Sequence, residues 1–201
     1  MDVDKQIAAL HADLNAAHHI TYLTGAGVST PSHIPDYRSK NGIYNGISES
    51  PEQILSEETL FHQPAKFHHF VMENMYFPDA KPNIIHQKIA TSCNKNGTLI
   101  TQNVDGLDKK AGNKHVIEFH GDLYNIYCTK CHEKISYDSY KKSYLHEKDQ
   151  GIIRPGIVLY GEPINEKGVL RVQLPNKKIW INHKRVKLQV VATELYPEDY
   201  D

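Results

Sequence analysis

The chain has 201 residues, with 23 Lys and Arg against 24 Asp and Glu, a net charge of −1 and a pI of about 6.9. That balance gives no electrostatic reason to expect a nucleic-acid partner, and no apolar run approaches the ~18 residues that a membrane span needs. Three cysteines, an odd number, make no disulfide framework. The polar start, Met1-Asp2-Val3-Asp4-Lys5, carries no signal-peptide pattern, so a cytoplasmic protein with one core is expected.

Val3, Ile7, Ala8, Leu10 and Leu14 fall at helical spacing and predict an amphipathic helix packed on the sheet that follows. Ile20 to Thr24 reads as a buried strand by its β-branched and aromatic content. Gly25-Ala26-Gly27 comes next, and Val28-Ser29-Thr30 can open a helix. Strand, glycine turn and helix N-terminus together suit a diphosphate, because the backbone approaches closely and unpaired N–H groups face the anion. Ile34-Pro35-Asp36-Tyr37-Arg38-Ser39 lies where a loop can fold over a bound dinucleotide, and Asn41 to Gly46 is turn-rich.

Ser50 as N-cap and Pro51 at the first position predict a helix running to Leu60. Phe67, Phe70, Val71 and Met75 form the core face of another helix, and Pro82 to Ala90 is a third. Cys93 falls in the expected connection to the next strand, Thr98 to Thr101. That strand delivers Gln102-Asn103-Val104-Asp105-Gly106-Leu107-Asp108 at its carboxyl end, where ligands sit in open α/β sheets. Val116 to Phe119 is a further strand ending at His120-Gly121, and Ile157 to Tyr160 is another ending at Gly161-Glu162. Between them Cys128-Thr129-Lys130-Cys131 supplies half of a tetrahedral zinc site. His132, His146 and nearby carboxylates are the candidates to complete it; without metal, Tyr137, Tyr140 and Tyr144 would hold the module. The expected fold is α/β, an incomplete Rossmann-like parallel sheet with a small Cys-x2-Cys module at about 121–150 and a β-rich C-terminal tail.

Four of these segments, taken in order, resemble the signatures of the sirtuins, the NAD-dependent protein deacylases. They are Gly25 to Ser29 with Ile34 to Ser39, Thr101 to Leu107, His120-Gly121, and Gly151 to Glu162. His33 stands where the family normally has glycine, although a Cβ resists positive φ, and Asp108 stands where it usually has histidine. The resemblance implies that Gly25, Ala26, Gly27 and Ser29 hold the NAD diphosphate while Asp36, Tyr37 and Arg38 close over the cofactor. It places Gln102 on the ribose and Asn103, Val104 and Asp105 around nicotinamide, with His120, Asn103 and Asp105 as the catalytic set. The acyl oxygen of an acyl-lysine then attacks the ribose C1′ and expels nicotinamide, with His120 as general base. Ile157, Val158, Tyr160, Gly161 and Glu162 would bind the protein substrate by β-augmentation. Zn2+ would be structural.

No arginine occurs between Arg38 and Arg154, so a guanidinium clamp for acidic acyl groups cannot come from that region and a neutral acyl group is expected. The resemblance covers about 5–166, and 167–201 reads instead as an unrelated basic tail. Hairpin signals surround Pro175-Asn176-Lys177, and Arg171 to Lys187 carries six Lys and Arg. By this reading the domain is truncated, and two alternatives accompany the deacylase: an inactive remnant, or an ADP-ribosyltransferase using the same cofactor.

Overall fold

The structure, a computed structural model, describes residues 3–37, 42–43 and 49–163. Helix α1 (Val3–Ala16) leads to strand β1 (Ile20–Thr24), two 3₁₀ turns (Ala26–Val28 and Thr30–Ser32), and helices α2 (Pro51–Ile54), α3 (Glu57–His62), α4 (Pro64–Asn74) and α5 (Ile84–Asn96). Then come β2 (Gly97–Thr101), α6 (Leu107–Lys110), β3 (Val116–Glu118), β4 (Gly121–Cys128), α7 (Tyr137–Lys142) and β5 (Ile153–Ile157). Strands β1, β2 and β3 form a parallel sheet in that order, with Thr24 opposite Thr101 and Thr101 opposite Glu118. Their carboxyl ends therefore open on one side of the sheet, as in a Rossmann-like fold.

Strands β4 and β5 pair antiparallel, with a bulge between Asp122 and Ile126. The chain turns from one sheet into the other at Gly121, whose φ is +87° and where an added Cβ would stand 2.0 Å from the Gly156 carbonyl oxygen. No residue with a side chain fits that position.

Two cores divide the work. A small one, Ile89, Cys93 and Leu99, packs α5 on the parallel sheet. The larger one joins α2, α3 and α4 to β4 and β5 through Leu60, Phe67, Val71, Leu123, Ile126 and Tyr140. Phe67, Phe70, Val71 and Met75 are all buried there, as their spacing predicts.

Several expectations change. Helix α1 buries no residue fully: among the described residues Leu10 and Leu14 are half-buried, while Val3 and Ile7 are 63% and 59% exposed, so its apolar face is covered only in part. Strand β1 is a half-exposed edge, with Leu23 at 44%, because among the described residues β2 alone pairs with it. Residues 28–30 open no α-helix: Pro31 lacks the N–H that would extend one, and His33 closes the second turn in the left-handed region at φ 64°. The 51–60 helix breaks at Leu55 because Ser56 caps a new one, its hydroxyl accepting from Thr59 N at 3.1 Å. Cys93 lies inside α5, which runs six residues beyond Ala90. The strand expected at Ile157 to Tyr160 sits at Ile153–Ile157 instead. Pro155 is tolerated there because β5 is an edge strand and Pro155 pairs beside the bulge. Ser50 does cap α2, accepting from Gln53 N. Arg38, Ser39 and the hairpin expected within 167–201 lie outside the described residues.

Phe67→Ala should cost about 3–5 kcal/mol in urea unfolding through the cavity it leaves. Val3→Ala should stay within about 0.5 kcal/mol, since its site is already hydrated.

Candidate active site

The ends of β1 and β2 meet through hydroxyls, Thr24 Oγ1 donating to Thr101 Oγ1 at 3.0 Å, and Gln102 N donates to the Thr24 carbonyl at 2.9 Å. Beyond them Ser29 Oγ donates to Asp105 Oδ2 at 2.6 Å and accepts from Asn103 Nδ2 at 3.2 Å. Asp105 Oδ1 takes the Leu107 N–H at 2.8 Å, so both carboxylate oxygens are engaged. The glycine turn and the loop after β2 are thereby one hydrogen-bonded unit.

Helix α5 braces this unit from behind, and this is the part that sequence reasoning missed. Asn83 caps α5, and its Nδ2 donates to the Val28 carbonyl and to Ser32 Oγ, each at 2.8 Å. His86 Nδ1 accepts from Asn83 N at 3.3 Å, which leaves the proton on a buried Nε2 without a partner among the described residues. An Asn directly after a proline and before an apolar run was the available N-cap signal.

Ala26, Ser29, Tyr37, Asn103, Val104 and Asp105 line one cleft, closed on its apolar side by Ile34, Ile43, Met75, Phe77 and Leu123. Gly25 and Ala26 are buried and Gly27 is half-buried. Ala26 and Gly27 begin a helical turn, whose first N–H groups have no acceptor within the turn; that suits an anion, although a three-residue 3₁₀ turn supplies far less dipole than an α-helix. Asp36 takes part through its carbonyl, which accepts from Ile43 N at 2.7 Å. The Gln102 side chain is exposed, while its carbonyl accepts from His120 Nδ1 at 3.2 Å.

On the other wall the His120 carbonyl accepts from Val158 N at 2.9 Å. The N–H groups of Leu159 and Tyr160 go to Glu162 Oε2 and the Leu55 carbonyl, both at 2.9 Å. This segment is thus tied down internally, which narrows the edge open to a peptide. Ile157 is buried, Tyr160 is exposed, and Gly161 turns the chain at φ 91°. Glu162 faces inward, forked on the buried Arg154, which also donates to the Ile157 carbonyl at 2.7 Å.

Burial, and then the charge of Asp105, push the Asp108 carboxyl up to about 7. Burial likewise raises Glu118 and lowers His86.

Away from the cleft Cys128, Cys131, His146 and Asp149 bring one ligand atom each to within 4.8 Å of one another. Cys128 Sγ lies 3.4 Å from Asp149 Oδ1, and Cys131 Sγ lies 3.4 Å from His146 Nδ1. A tetrahedral zinc with bonds of about 2.0–2.3 Å needs donor separations of about 3.3–3.8 Å; these two separations meet that, and the others, within 4.8 Å, need the side chains to draw in by at most about 1.5 Å. A Cβ on Gly151 would stand 2.4 Å from Cys128 Sγ, so glycine keeps the cradle open. Of the two histidines considered, His146 joins the set and His132 does not; Asp149 is the carboxylate that completes it. Four protein ligands leave no open position, which marks a structural site.

A parallel sheet with polar loops at its carboxyl ends, beside a four-ligand module, defines a Rossmann-like protein with a dinucleotide-type cleft. The Sir2 family profile matches residues 25–178. The chain belongs to the Sir2 family. It is 54% identical over 157 residues to the NAD-dependent protein deacetylase of Listeria innocua serovar 6a, covering 78% of this chain and 68% of that protein. Its fold is similar to a Sir2 structure with deacetylated p53 peptide and 3'-O-acetyl ADP ribose, at TM-score 0.74 and 33% identity over 82% of this chain and 70% of that one. A Sir2 complex with p53 peptide and NAD+ matches at TM-score 0.70 and 32% identity, over 81% and 68%. Among the described residues no helix is long and apolar enough to cross a membrane.

Chelating zinc should lower the unfolding temperature, as expected when a metal binds only the folded state. Asp149→Ala should do the same and cut bound zinc to less than about half, while His132→Ala should change neither. Equal loss from both variants would refute the ligand set.

Proposed function

We propose that this chain is an NAD-dependent protein-lysine deacylase that removes acetyl groups. The observation that carries the reading is the hydrogen bond of His120 Nδ1 to the Gln102 carbonyl. A carbonyl only accepts, so Nδ1 holds the ring proton and Nε2 keeps the lone pair that a general base needs. The deacetylase relatives and the peptide complexes of similar structures support the same reading.

In this proposal Gly25, Ala26, Gly27 and Ser29 receive the diphosphate, and Asp36, Tyr37 and Arg38 close over the dinucleotide. Gln102 meets the ribose, and Asn103, Val104 and Asp105 form the nicotinamide side of the cleft. Bound NAD supplies a ribose C1′ carrying a leaving group, the electrophile that an acyl oxygen can attack. Asn103 and Asp105 orient the leaving group, held at fixed positions by Ser29 so that no reorganisation is needed during reaction. The apolar wall from Ile34 to Leu123 keeps competing water out. His120 Nε2 takes the proton of a ribose hydroxyl.

Ile157, Val158, Tyr160 and Gly161 form the substrate side, with Glu162 acting through its ion pair to Arg154. The lack of arginine between Arg38 and Arg154 favours a neutral acyl group. The three cysteines, all free, suit a reducing cytoplasm.

An acetyl-lysine peptide incubated with the protein and NAD should lose its acetyl group by mass spectrometry, with nicotinamide released in step. His120→Ala should slow this at least about 100-fold. Acetyl loss without NAD, or none from the wild type, overturns the proposal. A mass gain on a protein acceptor would point instead to ADP-ribosyl transfer.

A further inference from the structure

Behind the cleft loop lies a buried polar layer that the proposed chemistry does not use. Asp108 is 3% exposed, and its Oδ1 has no partner among the described residues. The carboxyl faces the Thr101 hydroxyl. That hydroxyl has both its lone pairs committed, to Thr24 Oγ1 at 3.0 Å and to Asn103 N at 3.1 Å. Its own proton is therefore free to go to Asp108. Two directed chains start at Asn103: its N–H donates to Thr101, whose hydroxyl donates to Asp108, and its Nδ2 donates to Ser29, whose hydroxyl donates to Asp105.

We propose that Asp108 is a positioning residue, acting through Thr101 to fix Asn103, and that it holds the 102–105 loop only while its carboxyl is neutral. This rests on the cleft being an NAD site. The surroundings explain why ionisation is disruptive. From the loop Asp105 presents a carboxylate, and from β3 Glu118 presents another, already paired with Lys109 at 2.6 Å. From α5 Cys93 contributes a thiol pushed up to about 11 by burial, and His86, its pKa lowered by burial, responds to Asp105. An anion at Asp108 would stand buried beside the Asp105 carboxylate with the Thr101 hydroxyl as its one donor among the described residues; burial and that like charge outweigh the Thr101 bond, and moving the loop is the way to hydrate it.

The carboxyl titrates at about 7 in the folded protein against 3.8 in a free chain. Raised above its unfolded value, this acid favours the folded loop at low pH. The contribution is lost as pH rises from about 4 through 7. If only the neutral form binds, its population falls from about nine-tenths at pH 6 to about one-tenth at pH 8, so NAD affinity should weaken about tenfold.

The test measures NAD affinity at pH 6, 7 and 8 by titration calorimetry, together with amide hydrogen-exchange protection of 102–106 without NAD, corrected for intrinsic rate. Wild type should lose about tenfold in both. Asp108→Asn, which keeps the shape and an acceptor for Thr101, should be flat with pH, whereas Asp108→Ala should be weak at every pH. Parallel pH profiles for wild type and Asp108→Asn in the exchange measurement overturn the inference. If wild type binds no NAD at any pH, the proposed function fails, and the exchange data still decide for or against Asp108.

Discussion

The cleft depends on the Ser29 hydroxyl, which accepts from Asn103 and donates to Asp105. Neither turn it joins has regular structure to hold it: one is a three-residue 3₁₀ turn, the other a loop ending at Gly106 in the left-handed region. The bond to the Asp105 carboxylate is charge-assisted and of the class that contributes about 1.5–3 kcal/mol, more than a neutral hydrogen bond. The strand register makes it available, because Thr24 and Thr101 end their strands side by side. Asn83 then fixes Val28 and Ser32 from behind, so the glycine turn is held on both faces.

His120 sits at the seam between two bodies of structure. Its ring is tied to Gln102 on the parallel sheet, and its carbonyl to Val158 just beyond β5. Gly121 permits the sharp change of direction that follows. The position of the imidazole is thus set jointly by the small core under the sheet and the large core under β4 and β5. In the role proposed for it, an imidazole held from two sides loses little rotamer freedom, which favours a fixed geometry for proton transfer.

What could be read from the chain was what short range decides. The bounds of β1, the Ser50 cap and the polar loop after β2 all follow from neighbours within a few residues. The exposure of α1 and β1 could not be read, since amphipathic spacing says which face is apolar and not whether anything covers it. Strand β5 was misplaced because Pro155 and Gly156 look like breakers, and only an edge position beside a bulge makes them tolerable. Asp149 was one carboxylate among several until the fold brought it back beside Cys128. The roles of Asn83 and Asp108 depend on contacts across 51 residues or more in one case, and on a shared hydroxyl at a strand end in the other.

The metal module bears on the cleft through β4. Cys128 ends that strand and Gly121, next to His120, begins it. Gly121 pairs with Ile157 and Cys128 with Ile153, so pairing with β5 holds the two ends of β4 about 13 Å apart, bulge included. Fixing Cys128 by coordination therefore restrains the far end, where Leu123 N donates to the Val104 carbonyl at 3.0 Å and closes the back of the cleft. The mixed donor set, two sulfurs with one nitrogen and one oxygen, still carries enough thiolate to favour zinc over harder ions. An ion held there would lie outside the cleft and take no part in the proposed chemistry, yet its loss would loosen the wall that carries His120 before it loosened the glycine turn. Loss of metal should thus disturb His120 more than the glycine turn.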